Sequence, residues 1–329
     1  MSKIERFVEL FAVPEFVIPY LSYFVSEKDI DLVLTLDGGK LSAAEVAAKL
    51  GIELKQAAEL LQEAYLKNLA NREEQDGELR YFAADFYDKL DYQCKFGENY
   101  HELDKSIRNA LDRWCYDVYK EGMKPYIAQL TRGEAVARAP ETFELLSNLD
   151  ELMDSVHKIS LVPCNCRRLA ENCERPTETC LAFDDAITDR THGREVSKEE
   201  AKEIVKMAHK NGLMHQVNSD WREKGPSWIC NCCSCCCYPL RLAQEEGSKG
   251  VFPVIKYVAV RDLEQCTHCG ICTRTCQFSA FHRTEEEIMV KGKTLRKVGF
   301  DLEQCYGCGL CADSCPSHAI TMQQLSAKD

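Results

Sequence analysis

Cys266-Thr267-His268-Cys269-Gly270-Ile271-Cys272-Thr273-Arg274-Thr275-Cys276 is answered, 39 residues on, by Cys305-Tyr306-Gly307-Cys308-Gly309-Leu310-Cys311-Ala312-Asp313-Ser314-Cys315, and Pro316 follows. The copies share more than cysteine. Asp262-Leu263-Glu264-Gln265 precedes the first run and Asp301-Leu302-Glu303-Gln304 the second, while Gly270 matches Gly309 and Ala280 matches Ala319. One unit has been duplicated. Two-residue gaps put three thiolates around a tight loop that can hold three corners of an iron–sulfur cube without straining the backbone, so the fourth corner must come from elsewhere.

Over 254–324 the chain closely resembles the bacterial-type two-cluster [4Fe–4S] ferredoxins, in which the last cysteine of each run ligates the other cluster. The resemblance implies two [4Fe–4S] clusters, one held by Cys266, Cys269, Cys272 and Cys315, the other by Cys305, Cys308, Cys311 and Cys276. Paired zinc sites would instead use two Cys-x-x-Cys pairs across a longer spacer, and a disulfide framework fits less well still. There are two departures. Gln277 stands where the family often has proline, and 277–304 is a longer insert than the shortest members carry. Within it, Met289-Val290-Lys291-Gly292-Lys293-Thr294-Leu295 reads as a hairpin with a glycine turn.

At 329 residues the chain has room for two or three domains, each with its own core. We expect an α+β multidomain protein: a winged-helix-like and helical module over 1–140, a cysteine-rich metal-binding segment over 141–253, and the ferredoxin-type domain over 254–329. Twenty cysteines are far above ordinary usage. The start, Met1-Ser2-Lys3-Ile4-Glu5-Arg6, lacks the layout of a secretory signal, so reduced metal ligands in the cytoplasm are expected over disulfides. The most apolar stretch, 11–25, contains Pro14, Glu15 and Pro19, and no membrane span is expected. A net charge of −12 disfavours nonspecific nucleic-acid binding.

Near the amino terminus, Ser42 with Glu45 forms a capping box for a short helix that Gly51 ends, and a second helix is expected over 53–68. Asp76-Gly77 then turns a hairpin between Leu69 and Tyr81-Phe82. Helix, turn, helix, hairpin resembles a winged helix. As a DNA reader its second helix is poor, since Lys55, Gln56 and Lys67 are set against Glu53, Glu59 and Glu63. A structural or dimerising use, giving a homodimer through this module, is the favoured expectation. The stretch 85–158 reads as mainly helical, with Trp114, Tyr116 and Tyr119 as core and Cys94 and Cys115 as solitary buried thiols.

The central segment carries two bursts of cysteine around one helix, which is announced by Ser197 and Glu200 and ends near Gly212. The first comprises Cys164, Cys166, Cys173 and Cys180; the second, Cys230, Cys232, Cys233, Cys235, Cys236 and Cys237. Neighbours in an extended segment point to opposite faces, so adjacent cysteines suit two sites or one large cluster. The first burst could fill one cube and part of the second another, or ligation could mix the bursts. One or two further iron–sulfur clusters are expected, with zinc the competing occupant. Arg167 and Arg168 are candidates to offset cluster charge. His192, His209 and His215 read as surface or core residues before ligands, His215 being the best placed, and Trp221 and Trp228 as shields against water. Glu285-Glu286-Glu287 reads as a solvated loop.

The whole arrangement is similar to iron–sulfur proteins of anaerobes that join a cysteine-rich segment to a carboxy-terminal two-cluster ferredoxin, which implies metal binding and electron transfer and names no substrate. The favoured function is single-electron relay between a redox partner protein and the central site. A redox- or oxygen-sensing regulator and a reductase with catalysis at the central cluster are the alternatives. No nucleotide or flavin fingerprint occurs.

Overall fold

A computed structural model describes residues 1–290 and 292–325. It divides into two compact units, Met1–Val118 and Tyr119–Asp329. In the first, helices begin where the chain supplies its own caps. Ser2, Ser26 and Ser42 accept from the third helical N–H of α1 (Lys3–Leu10), α2 (Glu27–Thr35) and α3 (Ala43–Leu50), and Glu5, Asp29 and Glu45 return the bond. Gly51 closes α3 in the left-handed region, and α4 (Leu54–Leu66) follows. Strands β1 (Ala70–Gln75) and β2 (Glu78–Ala83) then pair antiparallel about Asp76-Gly77. Lys55 and Lys67 of the α4 region pair with Glu59 and Glu63 one turn away. The apolar stretch expected over 11–25 is inside, with Phe11, Val17, Leu21 and Phe24 buried. No described helix is long and apolar enough to cross a membrane. Helix α5 (Phe86–Phe96) buries Cys94, and the long α6 (Lys105–Thr131) buries Cys115 and Tyr116.

The second unit contains an element the sequence reading did not foresee. Among the described residues a six-stranded antiparallel sheet is built from β3 (Glu141–Glu144), β4 (Ile159–Pro163), β5 (Glu178–Phe183), β6 (Arg194–Glu195), β7 (Met214–Asn218) and β8 (Trp228–Cys232). Its order is β3-β7-β8-β5-β4-β6. Side chains alternate across a strand, and the alternation sorts chemistry here. Leu181, Phe183, Val217 and Ile229 turn to a core shared with α7 (Leu149–Asp154) and α9 (Lys198–Lys210). Cys180, Gln216, Cys230 and Cys232 occupy the alternate positions and face the other way. Ser197 caps α9 as expected, but the Glu200 carboxylate turns to Arg194 instead of closing a box. Short helices α8 (Asn165–Ala170), α10 (Trp221–Lys224) and α11 (Tyr238–Glu246) complete this part.

In the carboxy-terminal region β9 (Tyr257–Arg261) pairs with β12 (Ile320–Gln324) and encloses α12 (Ile271–Thr275), the hairpin β10 (Phe281–Val290) and β11 (Lys293–Phe300), and α13 (Leu310–Asp313). The duplication reaches the backbone: Gly270 and Gly309 both cap their helices at positive φ, and Ser279 and His318, again 39 apart, share a left-handed conformation. Gly307 is obligatory, because a Cβ there would stand 2.1 Å from the Tyr257 carbonyl oxygen. The glycine-turn hairpin is present, with Val290 opposite Lys293; Lys291 of that reading lies outside the described residues. The acidic run is exposed as expected, yet it lies on β10 and not in a loop, and Glu286 pairs with Lys297.

Glu144 joins the sheet to this region. Its buried carboxylate accepts from the Trp221 indole at 2.9 Å, the Tyr257 hydroxyl at 3.0 Å and the Asn148 amide at 2.7 Å. Glu144→Ala should therefore cost at least about 2 kcal/mol in denaturant unfolding, since several buried donors lose their acceptor together. A loss within experimental error would contradict that role.

Candidate metal centres

The carboxy-terminal cysteines line two small cavities. One is bounded by Cys266, Cys269, Cys272 and Cys315, the other by Cys276, Cys305, Cys308 and Cys311. Both sets share an apolar core with Ala259, Phe281, Val298 and Ile320. Cys269 is exposed, whereas burial pushes the Cys308 thiol up to about 12 and the Cys311 thiol up as well. Arg283 fastens the hairpin to the first loop by donating to the carbonyls of His268 and Cys269. The departure at Gln277 has a physical reason. Its Oε1 accepts from Ser234 N–H at 2.9 Å and its Nε2 donates to the Gly212 carbonyl, stitching the ferredoxin region to the central segment as proline could not.

The central cysteines fall into two sets, and each draws on both bursts. In the loop set, the sulfurs of Cys173, Cys233, Cys235 and Cys236 lie within 4.8 Å of one another. In the sheet set, neighbouring thiols run from Cys164 through Cys180, Cys230, Cys232 and Cys237 to Cys166. Adjacent residues part company. Cys232 and Cys237 join the sheet set, Cys233 and Cys236 the loop set. As bare thiols the sheet set divides into donors and acceptors: hydrogen bonds from Cys180 and Cys232 lower Cys230 to about 6, while bonding to Cys180 and burial push Cys164 up. Burial raises Cys237 too, but bonds from Cys166 and Cys232 outweigh it and leave that thiol lowered.

Two polar groups test whether metal fits. Arg167 is 2% exposed, and its guanidinium donates to the carbonyls of Pro176 and Asn231, to Thr179 Oγ1 at 3.0 Å and to Cys233 Sγ at 3.7 Å. Among the described residues no carboxylate pairs with it. Burial opposes its charge, and the Cys164 and Cys233 thiols counter that and hold its pKa up. Thiolates held by a metal would be anions for it to answer to. Gln216 sets its amide against Cys232 and Cys237, at 3.2 and 3.5 Å, and its Nε2 is a buried donor without a partner among the described residues. If those thiols released their protons to a metal, the Oε1 that accepts from them would lose its donors, and a turn of the amide would point Nε2 at the thiolates. The donor set fits.

Other expectations resolve individually. Arg168 pairs with Glu178 at 2.6 Å. Trp221 lies in the core on the opposite face of the sheet and is not the water shield expected of it, whereas Trp228 shares the face of Cys230, beneath Arg138. His209 and His215 are not ligands of the loop set; they stack, with His209 Nδ1 at 3.0 Å from His215 Nε2. His215 Nδ1 donates to Asn231 Oδ1, and His209 Nε2 stands 3.1 Å from Asp313 Oδ2. Burial pushes His215 down to about 4, so it is neutral.

Arg167→Met tests the charge argument in two measurements. Metal-free protein should melt at a higher temperature, because an unpaired buried cation is gone, and metal-loaded protein should retain less metal. Unchanged metal content with a lowered melting temperature would contradict it.

Residues 265–319 match the family model of the 4Fe-4S dicluster domain. No curated protein matches the chain. The carboxy-terminal region is a ferredoxin-type iron–sulfur domain that binds [4Fe–4S].

Proposed function

We propose that this is an electron-transfer protein in which the two ferredoxin thiol sets and the sheet set form one line of redox centres. One observation carries the reading: Cys276 and Cys308 of the ferredoxin region pack in the same apolar core as Cys230, Cys232 and Cys237. Clusters held by Cys266, Cys269, Cys272 and Cys315 and by Cys276, Cys305, Cys308 and Cys311 would supply low-potential one-electron chemistry, and Cys164, Cys166, Cys180, Cys230, Cys232 and Cys237 would hold the inner centre. Around the shared core Phe278 stacks on Tyr306 with centroids 3.8 Å apart, and Phe143 meets both edge-on, so water is kept out between the two. The exposed Cys269 puts the outer set at the surface, where a soluble redox partner can reach it. Anaerobically prepared protein should bleach reversibly with dithionite. Zinc in place of iron at the ferredoxin thiols, or no reversible bleaching, would sink the reading.

A reductase with its chemistry at the inner centre is favoured by a separate observation. His209, His215 and Asn231 form a hydrogen-bonded row that ends on the strand carrying Cys230 and Cys232, and the exposed Asp313 carboxylate stands 3.1 Å from its outer histidine. Asn231 Nδ2 donates to the Thr179 carbonyl, which fixes its Oδ1 toward His215. Such a row can bring a proton from solvent as far as the His209–His215 pair beside the strand, with the Asn231 amide fixing its inner end. If it does, the midpoint potential of the inner centre should fall by roughly 59 mV per pH unit for one proton per electron, and His215→Phe should flatten that slope. A pH-independent potential in the unmodified protein would leave simple relay.

A further inference from the structure

The loop set differs from every other cysteine set in this chain by its size. Among the described residues it is the one group of three or more candidate ligands whose donor atoms all lie within 4.8 Å of one another. Three of the six separations are 3.8 Å for Cys173–Cys233, 3.8 Å for Cys173–Cys236 and 3.7 Å for Cys235–Cys236. Four thiolates bound tetrahedrally to one divalent ion at about 2.3 Å stand about 3.8 Å apart, which is the edge of that tetrahedron. In a cube each thiolate sits on its own iron, and the separation of the irons adds to that edge. The ferredoxin thiols, which line cavities, do not close to the single-ion distance.

We propose that Cys173, Cys233, Cys235 and Cys236 bind a single tetrahedral divalent ion of the zinc or ferrous class, not a cluster. The proposal does not rest on the electron-transfer reading. It gives the loop set, which stands outside the line of redox centres, a bracing role. The ion ties Cys173, in the loop after α8, to a turn 60 residues further on. That turn also carries Ser234, whose N–H is held by Gln277 of the ferredoxin region, and Cys235, whose carbonyl accepts from the Asn172 amide at 2.8 Å. Binding exchanges the thiol protons for the metal, with no change of oxidation state. The four thiolates and the divalent ion carry a net double negative charge, and Arg167 on Cys233 offsets part of it.

The test is metal analysis with X-ray absorption on the full chain purified without air. One zinc per chain, with a single sulfur shell near about 2.3 Å and no metal–metal shell, is the expected result. One iron without matching acid-labile sulfide supports the same single-ion site and identifies the metal. In the Cys235→Ser variant that one ion should be lost or bound at least tenfold more weakly, while the sulfide content stays unchanged. Loss of sulfide along with four irons in that variant, or no ion beyond the clusters in the unmodified protein, overturns the proposal. Should the variant not fold, the absorption spectrum of the unmodified protein decides alone. Absence of iron from the ferredoxin thiols would overturn the electron-transfer reading and leave this one standing.

Discussion

Arg167 carries a positive charge into the interior with no carboxylate beside it among the described residues, and much of the second unit is arranged around that fact. Moving an unpaired ion out of water costs several kcal/mol even after relaxation. Carbonyls of Pro176 and Asn231 satisfy its N–H groups but supply no charge. The anions available are sulfur. Because Cys233 belongs to the loop set and Cys164 and Cys180 to the sheet set, one guanidinium lies between both.

What divides the sulfurs is the two-residue period of a strand. On β8, Cys230 and Cys232 leave one face while Ile229 and Asn231 leave the other, so the same strand lines a cysteine-bearing face and completes an apolar core. Past its end the chain turns, and Cys233, Cys235 and Cys236 gather on Cys173 while Cys237 returns to the sheet set at the start of α11. Crowded cysteines thus become separate sites without any residue between some of them.

Features that are written locally were legible in the sequence. The capping box of Ser42 and Glu45, the Asp76-Gly77 turn, the left-handed glycines and the hairpin at Gly292 each depend on a few neighbouring residues. The ferredoxin-type domain was legible for the same reason, since its signal is spacing within one loop, written twice. The central sheet was not. Its strands are two to six residues long, and on β8 cysteine and asparagine stand where an apolar alternation would have announced it. Which cysteine meets which was equally hidden, because pairing Cys173 with Cys233 is settled by a register 60 residues long. Gln277 looked like a defect in a motif, and His209 and His215 like isolated histidines. Their partners, Ser234, Asp313 and Asn231, are distant in sequence, and only folding brings them together.

A charged arginine, an orphaned glutamine amide and a row of thiols that cannot all ionise alone are what the proposed inner centre would satisfy with metal, beside a ferredoxin-type iron–sulfur domain. Iron and sulfide counted per chain, on protein never exposed to air, test this most directly. The account predicts more than about eight irons, the number that two cubes supply, with Cys164, Cys180 and Cys230 protected from alkylation. About eight irons, with those thiols freely alkylated in the folded protein, would contradict it.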